Sequence, residues 1–102
     1  MKEQRTHKRV RVNMKVAYRD NDNTRRLGKV SDLSRGGMRV NTGYAPEVDG
    51  FLVASIDAEE FGKVIRVQGK VVWKTYSAMG IAFTQTDAKG LGNVLSYRGA
   101  PF

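Results

Sequence analysis

Apolar and polar residues alternate along most of the chain. The clearest stretch is VRVNMKVAY at residues 10–18, where Val, Met or Tyr occupies every second position. This period of two predicts a β-strand with one buried face. The same reasoning predicts further strands at 27–33, 38–42, 51–57, 63–75 and 77–85, with Gly69 as a bulge inside the fifth. Turn-forming residues separate these stretches, as in DNDN at 20–23 and SRGG at 34–37.

The pattern changes after the sixth strand. Thr86 or Asp87 is suited to cap a short helix, and Leu91, Val94 and Leu95 would then share one face. Two glycines inside this segment lower its helix propensity. Short strands with frequent turns, followed by one short helix, predict an all-β domain built as a small antiparallel barrel or sandwich.

Charge is distributed unevenly along the 102 residues, whose formal net charge is +8. Residues 1–39 contain 12 Lys/Arg and 4 Asp/Glu, whereas residues 40–102 contain 6 of each, so the whole excess lies in the first part of the chain. Such a concentration predicts a positive field on one side of the domain, suited to phosphate or another anion.

Catalytic chemistry has few candidate residues. The chain has no cysteine, and its single histidine, His7, has no evident partner for acid–base work. Metal-ligand spacings are absent from the sequence, so we expect neither a metal site nor an enzyme. The highly charged start MKEQRTHKRV is unlike a signal peptide, and no apolar run is long enough to span a membrane, which predicts a cytoplasmic protein.

Two short motifs stand out from this background. Arg5 and Arg9 are four residues apart, before the first strand, and Asp32, Ser34 and Gly37 lie at the end of the second strand and in the turn after it, in SDLSRGG. Taken alone, the first motif is typical of a solvated basic tail and the second of an ordinary turn. On a strand, the carboxylate and the hydroxyl would share one exposed face, and the glycine would allow a close approach to the backbone.

Together the motifs RxxxR and DxSxxG resemble the signature of the PilZ domain, a family that binds the bacterial second messenger cyclic di-GMP. The resemblance extends from Glu3 to about Phe83, with VVW at 71–73 and GIAF at 80–83 similar to the final strands of the family. It implies a six-stranded antiparallel β-barrel with a C-terminal helical appendage. The corresponding division is one domain over residues 1–102, with a mobile basic arm at 1–9, the barrel at 10–85 and a short helix at 86–98.

The resemblance assigns complementary roles to the motif residues. Arg5 and Arg9 would bind guanine O6 and N7 or the phosphates, because a guanidinium matches paired acceptors and also stacks on a purine. Asp32 would accept hydrogen bonds from the guanine N1–H and N2 amine, Ser34 would add a further hydrogen bond, and Gly37 would allow close contact.

Further residues near the motifs are secondary candidates for ligand binding: Lys8, Arg35, Gly36 and Trp73. Lys8 would add to the positive electrostatic field without a specific contact, and Arg35 would contact phosphate or stay in solvent. Trp73, the only tryptophan, would either pack on a purine at the rim of the site or belong to the core. Gln4 stands where many relatives have an additional arginine, and this favours one ligand molecule per chain over two.

The leading interpretation is therefore a cytoplasmic cyclic di-GMP receptor without catalytic activity, which signals through contact with an unidentified protein. One alternative is a small basic nucleic-acid-binding barrel. It is disfavoured because aromatic residues are few and form no stacking platform on adjacent strands. A second alternative is a PilZ-like interaction module that uses no nucleotide, and the intact motifs argue against it.

Overall fold

The computed structural model describes residues 9–99 as six β-strands and one α-helix. The strands are β1 (Val10–Arg19), β2 (Arg25–Leu33), β3 (Gly37–Asn41), β4 (Phe51–Ala58), β5 (Lys63–Lys74) and β6 (Ala78–Thr86). A single 3-10 turn at Glu59–Phe61 joins β4 to β5, and the helix α1 spans Ala88–Gly99.

The six strands form a closed barrel in the order β1-β2-β3-β6-β5-β4, and every neighbouring pair is antiparallel. Pairing of β1 with β4 closes the barrel, so each strand has a partner on both sides. The six-stranded antiparallel barrel with a short C-terminal helix is therefore confirmed, and the barrel is chosen over the sandwich.

Apolar side chains at alternate positions of the strands fill the interior of the barrel. Along β1 the even-numbered residues from Val10 to Tyr18 are buried while their neighbours face outward, as the sequence predicts. Among the described residues, the largest fully buried side chains come from β1 to β6 and from α1: Tyr18, Leu33, Ile56, Ile65, Met79, Leu91, Val16, Val30, Val40, Val71 and Val94. One continuous apolar core thus holds both the strands and the helix.

The helix covers one end of this core. Asp87 accepts a hydrogen bond from the backbone N–H of Gly90 at 3.1 Å, which confirms the predicted capping residue. Leu91 and Val94 are buried against the strands, and Leu95 packs partly against the same cluster. The apolar face predicted for this helix is therefore the face that packs on the barrel core.

Polar contacts tie the turn after β1 to the loop between β3 and β4. The hydroxyl of Tyr18 donates to the carbonyl oxygen of Tyr44 at 2.6 Å and lies 2.8 Å from Thr42 Oγ1. Burial is the main cause that raises the pKa of this tyrosine. The guanidinium of Arg26 stacks on the Tyr44 ring at 3.5 Å, and the Tyr44 hydroxyl donates to Asp20. These contacts fix the end of the barrel remote from the predicted motifs.

The strand bounds differ from the sequence expectation by a few residues at their ends. The second strand begins at Arg25 rather than at Leu27, and the helix begins at Ala88 rather than at Thr86. A register irregularity does occur between Gln68 and Gly69, but the extra residue is on β6, because Gln68 pairs with Gln85 and Gly69 with Phe83. Of the predicted arm at residues 1–9, all but Arg9 lies outside the described residues.

Candidate functional site

A row of side chains crosses the outer face of the barrel over five strands. Arg11 on β1 is directly opposite Asp32 on β2, which is opposite Arg39 on β3. Arg39 is in turn opposite Gly80 on β6, and Gly80 is opposite Trp73 on β5. Directly opposed residues of antiparallel strands share a face, so this row presents a carboxylate, two guanidiniums and an indole on one surface.

Two β-bulges place the polar and aromatic members of the row outside. Ser31 is an extra residue between the pairs Val30–Val40 and Asp32–Arg39, and Val72 is an extra residue between the pairs Val71–Ile81 and Trp73–Gly80. If the strands alternated regularly through Ser31 and Val72, the residue two positions after the buried Val30 or Val71 would point into the core. Each bulge thus turns the side chain that follows it, that of Asp32 or Trp73, to the outer face.

Arg9, which directly precedes β1, forms an ion pair with Asp32 on the neighbouring strand β2. Their closest charged atoms, Arg9 Nη2 and Asp32 Oδ2, are 3.8 Å apart, and both side chains are partly exposed. An exposed ion pair at this distance contributes little to stability. The pair therefore presents a donor fork and an acceptor carboxylate that are both accessible to a ligand.

Ser34 lies in the turn after β2 and is nearly buried, with 9% of its surface exposed. Its hydroxyl oxygen accepts hydrogen bonds from the backbone N–H groups of Gly36 at 3.1 Å and Gly37 at 3.2 Å. The expectation that Asp32 and Ser34 are displayed side by side on a strand is corrected here, because β2 ends at Leu33. The serine holds the turn together, which leaves only the carboxylate on the strand surface.

Gly37 on β3 lies against the backbone of β6. A Cβ added there would lie 2.3 Å from the carbonyl oxygen of Ile81, so no larger residue fits without backbone movement. Neither Gly36 nor Gly37 has a positive φ. The close approach inferred from the sequence is therefore made by the neighbouring strand.

Trp73 lies flat across β6 on the outer face. A Cβ added to Gly80 would fall 2.1 Å from the indole Nε1, which means that the ring occupies the space above this glycine. The guanidinium of Arg39 lies over the same ring, 5.6 Å from its centroid, within cation–π range. With 39% of its surface exposed, Trp73 is a rim residue and not a core residue.

These side chains surround an open groove with a volume of about 350 Å³. Its lining includes the predicted residues Arg9, Asp32, Ser34, Gly36, Gly37 and Trp73, together with Arg39 and Val72. Two grooves of about 580 and 680 Å³ lie on other parts of the barrel, and neither contains a residue of the two motifs. We locate the candidate site in the smaller groove because it combines guanidinium, carboxylate and aromatic groups.

Some residues predicted to bind the ligand are not among those that line the groove. The guanidinium of Arg35 lies beside α1, where a Cβ on Gly92 would be 3.4 Å from both of its terminal nitrogens, and it does not line the groove. Gln4, Arg5 and Lys8 are outside the described residues, so their predicted roles stay predictions.

Arg39 is a groove residue that sequence reasoning missed. It is an exposed arginine on β3, so alternation alone would have placed it on the outer face, whereas its pairing with Asp32 depends on the bulge at Ser31. What alternation could not reveal is its stacking on Trp73, which depends on the bulge at Val72.

Comparison with protein-family models matches residues 3–97 to the PilZ domain. The chain belongs to the PilZ domain family. The match covers both motifs and all six strands of this PilZ domain. A comparison with curated protein sequences finds no match.

Solved structures with the same fold include the PilZ domain of YcgR from Escherichia coli with c-di-GMP, at a TM-score of 0.78 and 13% identity over 95% of this chain and 92% of that chain. The Bacillus subtilis inhibitor of motility MotI/DgrA matches at a TM-score of 0.77 and 18% identity over 94% of this chain. The Borreliella burgdorferi protein PlzA, in complex with c-di-GMP, matches at 0.72 and 21% over 94%. This PilZ domain spans 50% of the MotI/DgrA chain and 41% of the PlzA chain.

Between residues 9 and 99 no helix has the length and apolar character needed to cross a lipid bilayer. The same part of the chain contains no group of three or more histidine, aspartate or glutamate side chains that would hold a metal ion.

Proposed function

We propose that this PilZ domain is a receptor for cyclic di-GMP, which binds in the groove between Arg9, Asp32 and Trp73 and has no catalytic role. The observation that carries the proposal is the accessible Arg9–Asp32 pair at 3.8 Å beside an exposed indole. Family membership and the c-di-GMP complexes of the YcgR PilZ domain and PlzA support the same ligand.

Guanine is the base that best complements this arrangement. Its O6 and N7 accept two hydrogen bonds from one guanidinium, while its N1–H and N2 amine donate to one carboxylate. Arg9 and Asp32 would therefore bind different edges of the same base, and Trp73 and Arg39 would offer flat faces for stacking. Adenine lacks the O6 acceptor and the N1–H donor, so we expect it to be rejected at Asp32.

Arg5 would add a second guanidinium to the phosphates or the second guanine, as the RxxxR motif implies. Ser34 would act mainly by holding the turn that contains Gly36 and Gly37. The bound ligand and the N-terminal arm would together form a new surface, through which the receptor would alter its contact with a partner protein in the cytoplasm.

Isothermal titration calorimetry with cyclic di-GMP tests this proposal, with GTP and cyclic di-AMP as competing nucleotides. Arg9→Ala and Asp32→Ala should each weaken binding roughly 10- to 150-fold, because a charge-assisted hydrogen bond contributes about 1.5–3 kcal/mol. Arg9→Lys should weaken binding of cyclic di-GMP similarly, since it keeps the charge but loses the paired donors of the guanidinium. The stoichiometry should be close to one ligand per chain.

Arg66→Ala is the matched control, because Arg66 is an exposed arginine on β5 that does not line the groove. It should bind as the parent does. No heat with cyclic di-GMP, or equal affinity for cyclic di-AMP, would contradict the proposal, and the first outcome would favour an interaction module that uses no nucleotide.

A further inference from the structure

The outer face on the other side of the barrel presents a regular array of twelve side chains, which we call the β1–β4 face. Its members are Arg25, Leu27 and Lys29 on β2, Lys15, Ala17 and Arg19 on β1, Val53, Ser55 and Asp57 on β4, and Val64, Arg66 and Gln68 on β5. Strand pairing aligns them in three rows across four strands. In the closed order β1-β2-β3-β6-β5-β4, strands β1 and β4 are opposite β6 and β3, which carry the floor of the candidate site.

Cations dominate this face and oppose one another directly. Arg19 is the cross-strand partner of Arg25, and Lys15 is the partner of Lys29. Like charges in directly opposed positions destabilise a sheet. Within residues 9–99 none of these four side chains forms an ion pair with a carboxylate, although Asp57 lies opposite Lys15. The Arg19–Arg25 pair therefore carries a repulsion that an anionic partner would relieve, whereas Asp57, Glu59 and Glu60 line the same depression as Lys15 and Lys29.

The middle row contains Leu27, Ala17, Ser55 and Arg66, and it lies between a row with Lys29 and Lys15 and a row with Arg25 and Arg19. Leu27 is 65% exposed and lies opposite Ala17, which lies opposite Ser55. Val53 and Val64, on either side of this row, are 48% and 50% exposed. The small side chains at positions 17 and 55 lie in an open depression of about 680 Å³ with a mainly apolar lining. On β1 and β2 the face thus offers an apolar strip at Leu27 and Ala17, with Lys15 and Lys29 on one side and Arg19 and Arg25 on the other.

The spacing of the rows fits an α-helix. Neighbouring rows are two residues apart along each strand, or roughly 7 Å, so the two cationic rows are about 13 Å apart. This separation is close to the diameter of an α-helix with its side chains, about 10–12 Å. A helix lying along the central row would place one apolar stripe on Leu27 and Ala17 and a row of carboxylates over the cations on each side.

Strand pairing leaves no site for strand addition at the centre of this face. Lys15–Arg19 of β1 pair with both β2 and β4, so this segment offers no free backbone groups to an incoming strand. A partner must therefore be recognised through side chains. The twelve positions contain no aromatic residue on which nucleic-acid bases would stack, whereas the exposed Leu and Val residues match aliphatic side chains of a protein.

We propose that the β1–β4 face docks an acidic amphipathic helix of a partner protein. This proposal does not rest on cyclic di-GMP binding, because no residue of the face lines the candidate site. Docking here would leave the groove on the other side of the barrel open to its ligand.

Titration of the isotope-labelled full chain with synthetic peptides, followed by NMR, tests the proposal. The probe is a helical peptide with a leucine stripe flanked by glutamates, and the control peptide keeps every glutamate but has serine in place of each leucine. Amide shifts should cluster at residues 15–19, 25–29, 53–57 and 64–68, and the control peptide should bind at least tenfold more weakly. Equal binding of the two peptides, tighter binding of a single-stranded oligonucleotide of the same charge, or shifts centred on Asp32 would overturn it.

Two substitutions on the face provide a second test. Arg25→Glu and Leu27→Ser should each lower affinity for the leucine-containing peptide at least fivefold. Lys89→Glu, which makes the same charge change on an exposed position of α1, and Tyr76→Ser, at an exposed position outside the face, should leave it unchanged. If either control lowers the affinity as much as the face variants do, the proposal is wrong. The NMR spectra themselves establish that each variant is folded.

Discussion

Gly80 determines where the only tryptophan of the chain rests. Because this residue has no side chain, the indole of Trp73 lies directly on the backbone of β6 and still reaches toward Arg39. The sequence left Trp73 between the core and the rim. Aromatic character alone does not distinguish the two, since the answer depends on a residue seven positions away and on the register of two strands.

Gly80→Ala should displace the indole, because the added Cβ would lie 2.1 Å from its Nε1. We expect red-shifted tryptophan emission and at least fivefold weaker binding of cyclic di-GMP, measured by fluorescence and calorimetry. Gly43→Ala is the control, since no atom lies within 4 Å of the Cβ built there, and it should match the parent. Parent-like emission from Gly80→Ala would show that Trp73 does not rest on this glycine.

Ser34 and Asp32 belong to one motif, but we expect substitution of Ser34 to lower stability and substitution of Asp32 to weaken ligand binding. Ser34→Ala removes the acceptor of two backbone N–H groups in a nearly buried turn, so the free energy of unfolding should fall by about 1–3 kcal/mol. Asp32→Ala should leave stability almost unchanged, because its one ion pair is partly exposed, and should weaken ligand binding. Urea unfolding and calorimetry on both variants separate the two roles. A stability loss at Asp32 as large as that at Ser34 would contradict this division.

At the scale of elements, alternation predicted all six strands because each strand has one face in the barrel and one in solvent. The same pattern could not predict the bulges at Ser31 and Val72, since an extra residue is defined only relative to the neighbouring strand. The sequence also predicted Ser34 beside Asp32 on a strand surface, whereas its hydroxyl turns inward to accept hydrogen bonds from the backbone of the following turn. The motif residues were found from their chemistry, but their arrangement depends on pairing that no single strand encodes.

The opposed cations on β1 and β2 provide a stability test at this scale. Arg25→Glu converts the pairing with Arg19 from repulsion to attraction, and the melting temperature should rise by roughly 1–4 °C at low salt. Lys70→Glu is the control, because it reduces net charge equally but lies opposite Phe51 and Ala82. The difference between the two variants should vanish in 1 M salt. An equal rise in both would indicate an effect of net charge alone.

At the scale of the whole molecule, the barrel separates two surfaces of different chemistry. One combines arginine, carboxylate and indole in a groove, and the other combines opposed cations with an apolar strip. Both draw on the excess of Lys and Arg in residues 1–39, because β1 and β2 contribute to each surface. An uneven charge distribution in the sequence therefore does not translate into a single positive side.

The two surfaces should act independently at physiological salt, where charges farther apart than about 8 Å are largely screened. Asp32→Ala should leave affinity for the acidic leucine peptide within twofold of the parent, and Arg25→Glu should do the same for cyclic di-GMP. Calorimetry of each ligand, with and without a saturating amount of the other, measures the coupling. A change of more than twofold in either direction would show that the barrel transmits binding between its faces.

The two bulges also determine which kinds of mutation the groove can tolerate. Side-chain direction alternates along a regular strand, so a change of one residue in length there reverses every position beyond it. Deleting Ser31 or Val72, in contrast, would leave Asp32 or Trp73 in the outward position directly after the buried Val30 or Val71, with the same cross-strand partners. The bulges are therefore the positions at which β2 and β5 can lose one residue without reversing the groove side chains, so the length of these strands is least constrained at positions 31 and 72.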